Sequence, residues 1–337
     1  MKLLFVVQRY GLEVDGGAEL YCRWLAEQCS LEHDVTVLTT TARDYVTWAN
    51  YYKPGEENLN GVKVIRRSVA GVRDIQEFNK FTEDILGSDP GLPIQHQWLR
   101  AQGPWSPELL RYIKMNHGDY ELLVFITYLY ASSLFGCRIV PEKSVLIPTA
   151  HDEPVARLSV FNRLYKEVAG LMYLTPGEKL FVETYYNERS SNEILLGTGV
   201  ELPVSELKVS EIRQTYYLDA PYFLYIGRVE TGKGCQSLID GFLEFKETTG
   251  SSQKLVLAGR VHMDRHKHED ILFTDFVPDN HIKPLIDGAT AIVVPSAFES
   301  LSILLLQAFL RRKPVVVNGL SPVLKEHCLI SNGGLFY

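Results

Sequence analysis

Tyr222-Phe223-Leu224-Tyr225-Ile226-Gly227-Arg228-Val229-Glu230-Thr231-Gly232-Lys233-Gly234 decides the fold. Five apolar, strand-forming residues end on a glycine, a cation follows, and Lys233-Gly234 opens a helical run, Cys235–Glu247. This strand–turn–helix unit restarts a pattern already seen at the beginning of the chain. Behind it lies Gly197-Thr198-Gly199-Val200-Glu201-Leu202-Pro203, whose composition reads as a linker. Ahead of it, Lys254–Ala258, Ile271–Phe273, Thr290–Val294 and Pro314–Val317 are short apolar runs, separated by helical stretches at Asn280–Asp287 and Ser302–Arg311.

The same alternation fills the chain before the linker. Leu3–Val7, Val35–Thr39, Val62–Arg66, Leu122–Ile126, Val145–Pro148 and Leu171–Leu174 suit strands buried on both faces of a parallel sheet. Ala18–Ser30 places Leu20, Trp24, Leu25 and Cys29 at helical spacing. Residues 90–122 are less regular, with Gly, Pro and Trp, and read as surface loop plus one helix. Two blocks of repeated β-α-β units predict two Rossmann-like, doubly wound parallel-sheet domains, 1–199 and 200–337, with ligands at the carboxyl ends of the strands.

Composition sets the class. At 337 residues, with 46% hydrophobic and 22% charged, the chain is long enough for two packed cores and is not disordered. The 34 basic and 41 acidic side chains give a net charge of -7. Up to Gly199 there are 20 basic and 25 acidic residues, and after it 14 and 16, so neither block offers the concentrated positive charge of a nucleic-acid binder. Five scattered cysteines with no C-x-x-C pair suit neither a disulfide framework nor a zinc site. No apolar run approaches a membrane span and the N-terminal apolar stretch is too short for a secretion signal, so a cytoplasmic protein is expected, with peripheral membrane contact left open.

Nucleotide motifs narrow the chemistry. The first strand leads into Gln8-Arg9-Tyr10-Gly11-Leu12-Glu13-Val14-Asp15-Gly16-Gly17-Ala18-Glu19, which lacks the G-x-G-x-x-G spacing of a dinucleotide fold. No G-x-x-x-x-G-K-[ST] loop occurs, so dehydrogenases and P-loop ATPases are set aside. Gly16-Gly17 would let helix-start amides approach an anion closely, or would serve as a plain turn. Arg228 and Lys233, five residues apart beside a helix start, suit a diphosphate. Pro295-Ser296-Ala297-Phe298-Glu299-Ser300-Leu301-Ser302 puts Glu299 in a turn before a helix whose first N–H groups lack partners. Gln307, set among large apolar neighbours in that helix, must find a hydrogen-bond partner. His262, His266 and His268 lie in a highly charged stretch that reads as solvated surface, and no D-x-D pair offers a metal site.

In order along the chain, Gly-Gly-Ala-Glu, Gly-Arg-x4-Lys-Gly, Pro-Ser-x2-Glu-Ser and Pro314-Val315-Val316 resemble the family 4 retaining glycosyltransferases. The resemblance implies the GT-B architecture, two Rossmann-like domains facing a central cleft, with the first domain on the acceptor side and the second holding a nucleotide-sugar. It implies transfer of a sugar from a nucleoside diphosphate to a hydroxyl of a glycan, lipid or small molecule, without metal or other cofactor. Position by position, Arg228 and Lys233 would hold the diphosphate, Glu299 the sugar hydroxyls, and the amides of Leu301, Ser302 and Ile303 the distal phosphate. Gly16 and Gly17 would form the glycine loop at the reaction centre, and His151 would touch the donor sugar.

Two departures from the family pattern stand out. Gln307 replaces the second acid of the E-x7-E motif, where the family binds ribose, so Gln307→Glu is expected to tighten the nucleotide. The family also continues past the equivalent of Tyr337 into helices, so the second domain is expected to lack its last ones. Rival readings are a nucleotide-sugar binder without turnover, a GT-B-fold epimerase and an interaction scaffold. Acceptor recognition would fall to Gln8–Asp15 and Pro90–Pro107.

Overall fold

A computed structural model describes residues 1–88 and 90–337. They divide into two compact units, Met1–Thr198 and Gly199–Tyr337, each with its own sheet and core.

In the first unit the chain runs β1 (Lys2–Val6), α1 (Gly17–Cys29), β2 (Asp34–Thr40), β3 (Gly55–Leu59), β4 (Val62–Arg67), α2 (Ile75–Ser88), α3 (Leu92–Gln102) and α4 (Pro107–Asn116). It continues through β5 (Leu122–Ile126), α5 (Ala131–Cys137), β6 (Ser144–Ile147), α6 (Asn162–Glu167), β7 (Gly170–Tyr173), α7 (Pro176–Tyr185) and β8 (Glu193–Leu195). The strand order is β3-β4-β2-β1-β5-β6-β7-β8, parallel throughout except for the β3–β4 pair. The chain winds outward from β1 to β4, returns, and winds the other way from β5, so the order reverses between β1 and β5. Leu4, Val6, Leu38, Leu123, Phe125 and Leu146 are fully buried in the middle of this sheet, as the apolar runs require.

Strand β8 was not among the strands read from the sequence, and two further features of this unit differ from the sequence expectation. Strand β3 was not anticipated; its sequence, GEENL, is charged and mostly exposed, and it joins β4 through Asn60-Gly61, both at positive φ, the residue pair favoured in tight hairpins. Residues 90–122 hold two helices rather than one. Gly91 and Gly103 cap the two ends of α3, while Pro93 and Pro107 sit in first turns, where a missing N–H costs nothing. The punctuation that looked like loop is the punctuation of helix ends. Trp98, Leu99, Leu109 and Ile113 from these helices are buried in the core.

The second unit contains α8 (Val209–Thr215), β9 (Tyr222–Ile226), α9 (Cys235–Thr249), β10 (Lys254–Ala258), β11 (Ile271–Asp275) and α10 (Asp279–Gly288). It ends with β12 (Ala291–Val294), α11 (Ile303–Leu310), β13 (Val315–Val317), α12 (Pro322–Ser331) and β14 (Gly334–Phe336). Its strands are all parallel in the order β11-β10-β9-β12-β13-β14, the dinucleotide-fold order with its reversal between β9 and β12. Leu224, Leu255, Leu257, Ile292, Leu305 and Val317 fill the core on either side. Among the described residues no helix is long and apolar enough to cross a membrane.

Candidate active site

In an open α/β sheet, ligands settle outside the carboxyl ends of the strands where the order reverses. In the second unit that point is flanked by the exits of β9 and β12, and both carry candidate residues. Gly234, at φ 77, begins α9, and a Cβ there would stand 2.4 Å from the Pro295 carbonyl oxygen. Only glycine permits this approach, which seats the start of α9 directly against the exit of β12. Lys233 and Glu299 thereby meet: Lys233 Nζ donates to Glu299 Oε1 at 2.9 Å, both side chains partly exposed. Two residues placed apart in the sequence reading, one on phosphate and one on sugar, form one ion pair at the reversal point.

Arg228 follows β9 directly. Its Nη2 lies 3.4 Å from Glu230 Oε1, and its carbonyl accepts from the Tyr225 hydroxyl at 2.8 Å. On the β12 side, Ser302 caps α11 by accepting from Leu305 N at 3.3 Å. The N–H groups of the first turn, including Ile303, have no partner further up the helix. The Leu301–Ile303 turn is thus a set of backbone donors beside Glu299.

Gln307 is 6% exposed and its Nε2 donates to the Glu201 carbonyl at 3.0 Å. The amide ties α11 to the segment that enters the unit. The sequence reading gave Gln307 to ribose; the structure gives its donor a protein partner, which a carboxylate could not replace. His262 and His266 are exposed between β10 and β11, as the charge pattern implied, whereas His268 is half-buried and its Nδ1 accepts from Asp270 N at 3.1 Å.

In the first unit the glycine turn joins β1 to α1. Gly16 and Gly17 owe their small size to different causes. A Cβ on Gly16 would fall 2.2 Å from Glu19 Oε2, and its φ is 151, whereas a Cβ on Gly17 would meet nothing within 4 Å. Gly16 is demanded by the fold; Gly17 is exposed and is not.

Glu19, the last residue of the Gly-Gly-Ala-Glu motif, has a role that the motif alone did not give it. Buried at 6% exposure, it accepts from Gln8 Nε2 and Arg9 Nε, each at 2.9 Å, and pairs with Arg9 Nη2 at 2.7 Å. Arg9 in turn donates to the Asp15 carbonyl and to Arg43 O, both at 2.8 Å. Its guanidinium is held charged by Glu19, Tyr130 and Asp15 against its burial. The turn is clamped from both sides by one arginine. Gln8, Arg9 and Tyr10 are buried, so only the later part of the expected acceptor loop faces outward. The signal was an Arg and a Glu bracketing two glycines, legible only once a turn brings them together.

His151 follows β6, at the same end of the sheet as the glycine turn, with β5 between β6 and β1. Its Nδ1 is 3.7 Å from Glu153 Oε1, which also accepts from the Tyr128 hydroxyl at 2.6 Å. The backbone just before it is fixed by Glu178 of α7: Oε1 accepts from Ala150 N at 2.7 Å and Oε2 from Leu174 N at 2.6 Å. Burial pushes the Glu178 carboxyl up to about 8, against the pull of these backbone N–H groups. Among the described residues no group of three or more His, Cys, Asp or Glu side chains could hold a metal ion.

Residues 220–333 match the family described as Glycosyl transferases group 1. An uncharacterised glycosyltransferase of Methanocaldococcus jannaschii is 25% identical over 97% of this chain and 83% of its own length. Among solved structures, sucrose-phosphate synthase from Thermosynechococcus elongatus aligns with a TM-score of 0.71 at 16% identity, covering 99% of this chain and 85% of that one. Anabaena HepE, solved in complex with UDP-glucose, aligns with a TM-score of 0.67 at 14% identity over 96% of this chain and 82% of its own. The two parallel-sheet units have the fold of these enzymes, and the second carries the family's sequence. The second unit thus matches the group 1 glycosyltransferases in sequence, and the chain is similar in fold to GT-B glycosyltransferases.

Proposed function

We propose that the chain is a family 4 retaining glycosyltransferase, moving a sugar from a nucleoside diphosphate to an acceptor hydroxyl. Domain 200–337 binds the donor and domain 1–199 the acceptor side. The observation that carries this reading is the Lys233–Glu299 pair at the strand reversal of the second unit, beside Arg228 and the start of α11. A carboxylate held by a lysine accepts from sugar hydroxyls in a fixed direction, and the same lysine retains donors for phosphate.

As the bond from the anomeric carbon to the diphosphate oxygen breaks, negative charge gathers on the departing phosphate. Arg228, Lys233 and the amides of Leu301, Ser302 and Ile303 are donors already in place for that charge, so little reorganisation is needed as it develops. The acceptor oxygen bonds to the anomeric carbon on the face the phosphate leaves, and its proton passes to the leaving phosphate. No side chain is assigned as base. Gly17, with open space where a side chain would stand, lets the reacting groups approach the helix-start amides, and His151 contacts the sugar. The cations and amides do the work a metal ion would do, so no metal is required.

The test is calorimetry with UDP-, GDP- and ADP-sugars against the intact chain. Lys233→Ala should weaken the nucleotide that binds by about 1.5–3 kcal/mol, the scale of a charged hydrogen bond. Unchanged affinity would remove Lys233 from the donor site. Glu299→Ala should spare the affinity of the free nucleotide and abolish transfer.

A further inference from the structure

A concavity lies wholly within the first unit. It has a volume of about 400 Å³, small for a ligand pocket and of monosaccharide scale. Its walls include Trp48, Arg73, Phe78, Phe81, Arg100 and Trp105, contributed by the chain just past the carboxyl ends of β2 and β4 and by α2 and α3. The glycine turn follows β1 at this same end of the sheet.

The chemistry of the lining is specific. Arg100 is exposed and stacked on the Trp105 ring, with its guanidinium carbon 5.0 Å from the centroid. Among the described residues it has neither an ion pair nor a hydrogen bond. Arg73 stacks on Trp48 and Phe78, 5.2 and 5.0 Å from their centroids. Its hydrogen bonds all go to uncharged oxygens, the carbonyls of Val46, Gln102 and Tyr45 and the Gln102 side chain, while the Asp44 carboxylate acts on it only from beyond ion-pair distance. Two guanidiniums therefore face one pocket with no carboxylate in ion-pair contact with either. Asp74 and Glu77 are also in the lining, but Asp74 Oδ1 caps α2 by accepting from Gln76 N and Glu77 N at 2.8 and 3.1 Å, Glu77 is exposed, and neither pairs with a guanidinium. Arginine on an aromatic face suits planar, charge-assisted recognition of carboxylate or phosphate, and the flat apolar rings suit the C–H face of a sugar.

Trp48 ties this pocket to the reaction centre. It is 1% exposed and sits at φ 58, a conformation uncommon for a bulky residue and found where structure over-determines it. Its Nε1 donates to the Gln102 carbonyl at 2.7 Å, and Gly103 presses so close that a Cβ there would stand 2.7 Å from the indole. Arg9, which clamps the glycine turn, lies 5.9 Å from the same indole. One ring separates the pocket from that clamp.

We propose that this cavity is the acceptor subsite and that it takes a pyranose bearing an anionic substituent, a phosphate or a carboxylate. The inference rests on the glycosyltransferase reading. It is tested on the intact chain by tryptophan fluorescence and calorimetry with glucose, mannose and galactose, their 6-phosphates, their uronates, and inorganic phosphate. At least one anionic hexose should bind saturably, about tenfold or more tighter than its neutral parent, as a charged hydrogen bond allows. Arg100→Gln should bring the anionic hexose to within about twofold of its neutral parent, erasing that preference, while Trp105→Ala should weaken every sugar. A 6-phosphate favoured over its uronate names phosphate as the group, and the reverse names carboxylate. Inorganic phosphate binding as tightly as the sugar phosphate means an adventitious ion only and overturns the proposal, as does a preference that survives Arg100→Gln. Nucleotide binding by the same sample separates the two readings: nucleotide bound with no hexose bound defeats the subsite alone, and neither bound defeats the donor reading as well.

Discussion

At the scale of single residues, the structure separates glycines and amides that look equivalent in sequence. Gly16→Ala must push Glu19 aside and should cost about 1–3 kcal/mol, as overpacking does, read by denaturant unfolding. Gly17→Ala should leave stability within about 0.5 kcal/mol of the parent. It should nevertheless cut transfer about tenfold or more, the scale at which misplaced reacting groups are felt. A Gly17→Ala variant with full turnover would take that residue out of the reaction centre. Gln307 reverses the expectation drawn from its motif. A carboxylate there would meet the Glu201 carbonyl lone pair to lone pair. Gln307→Glu should therefore destabilise the fold by about 1–3 kcal/mol, the cost of an unsatisfied buried acceptor, and should not tighten the nucleotide. The residues of the proposed donor site stand out in the sequence because Arg, Lys and Glu follow strand ends that apolar runs mark clearly. The Arg9–Glu19 clamp was not, because the pairing depends on how the turn folds back.

At the scale of elements, Glu178 of α7 joins the loop after β6 to the turn after β7, accepting from Ala150 N and Leu174 N. Its carboxyl titrates near 8 in the fold and about 4.3 in an unfolded chain. Between those values the folded state keeps a proton that the unfolded state releases, so this group makes stability fall as pH rises. Glu178→Gln, neutral at every pH, removes that dependence. The stability difference between parent and variant should shift against the parent as pH rises from 5 to 8 in parallel urea titrations. A constant difference would mean that Glu178 stays ionised throughout. Strands β9 to β13 were read from sequence to within a residue or two, since buried parallel strands are continuous apolar runs bounded by turns, whereas the short, mostly exposed β14 was not read at all. Strand β3 escaped because an exposed, charged edge has no apolar signature; its only mark was Asn60-Gly61. Helices α3 and α4 were under-read because proline and glycine serve helix ends as well as loops.

At the scale of the whole molecule, each unit buries its own hydrophobic cluster around its own sheet. Chains built this way depart from a single all-or-none transition, and a ligand raises the stability of the part that binds it. Calorimetric melting should resolve more than one transition. The nucleoside diphosphate should move the one that Gln307→Glu also moves, and excess EDTA should not abolish that shift. Loss of the shift in EDTA, restored by manganese, would overturn the metal-free reading. The contrast between Gly16 and Gly17 reaches furthest when the protein is diversified. A library selected for expression or heat resistance would purge substitutions at position 16 and enrich them freely at position 17, because folding places no demand there. Variants gathered in that way would accumulate as well-behaved, inert proteins, and a selection for soluble yield would run directly against a selection for turnover.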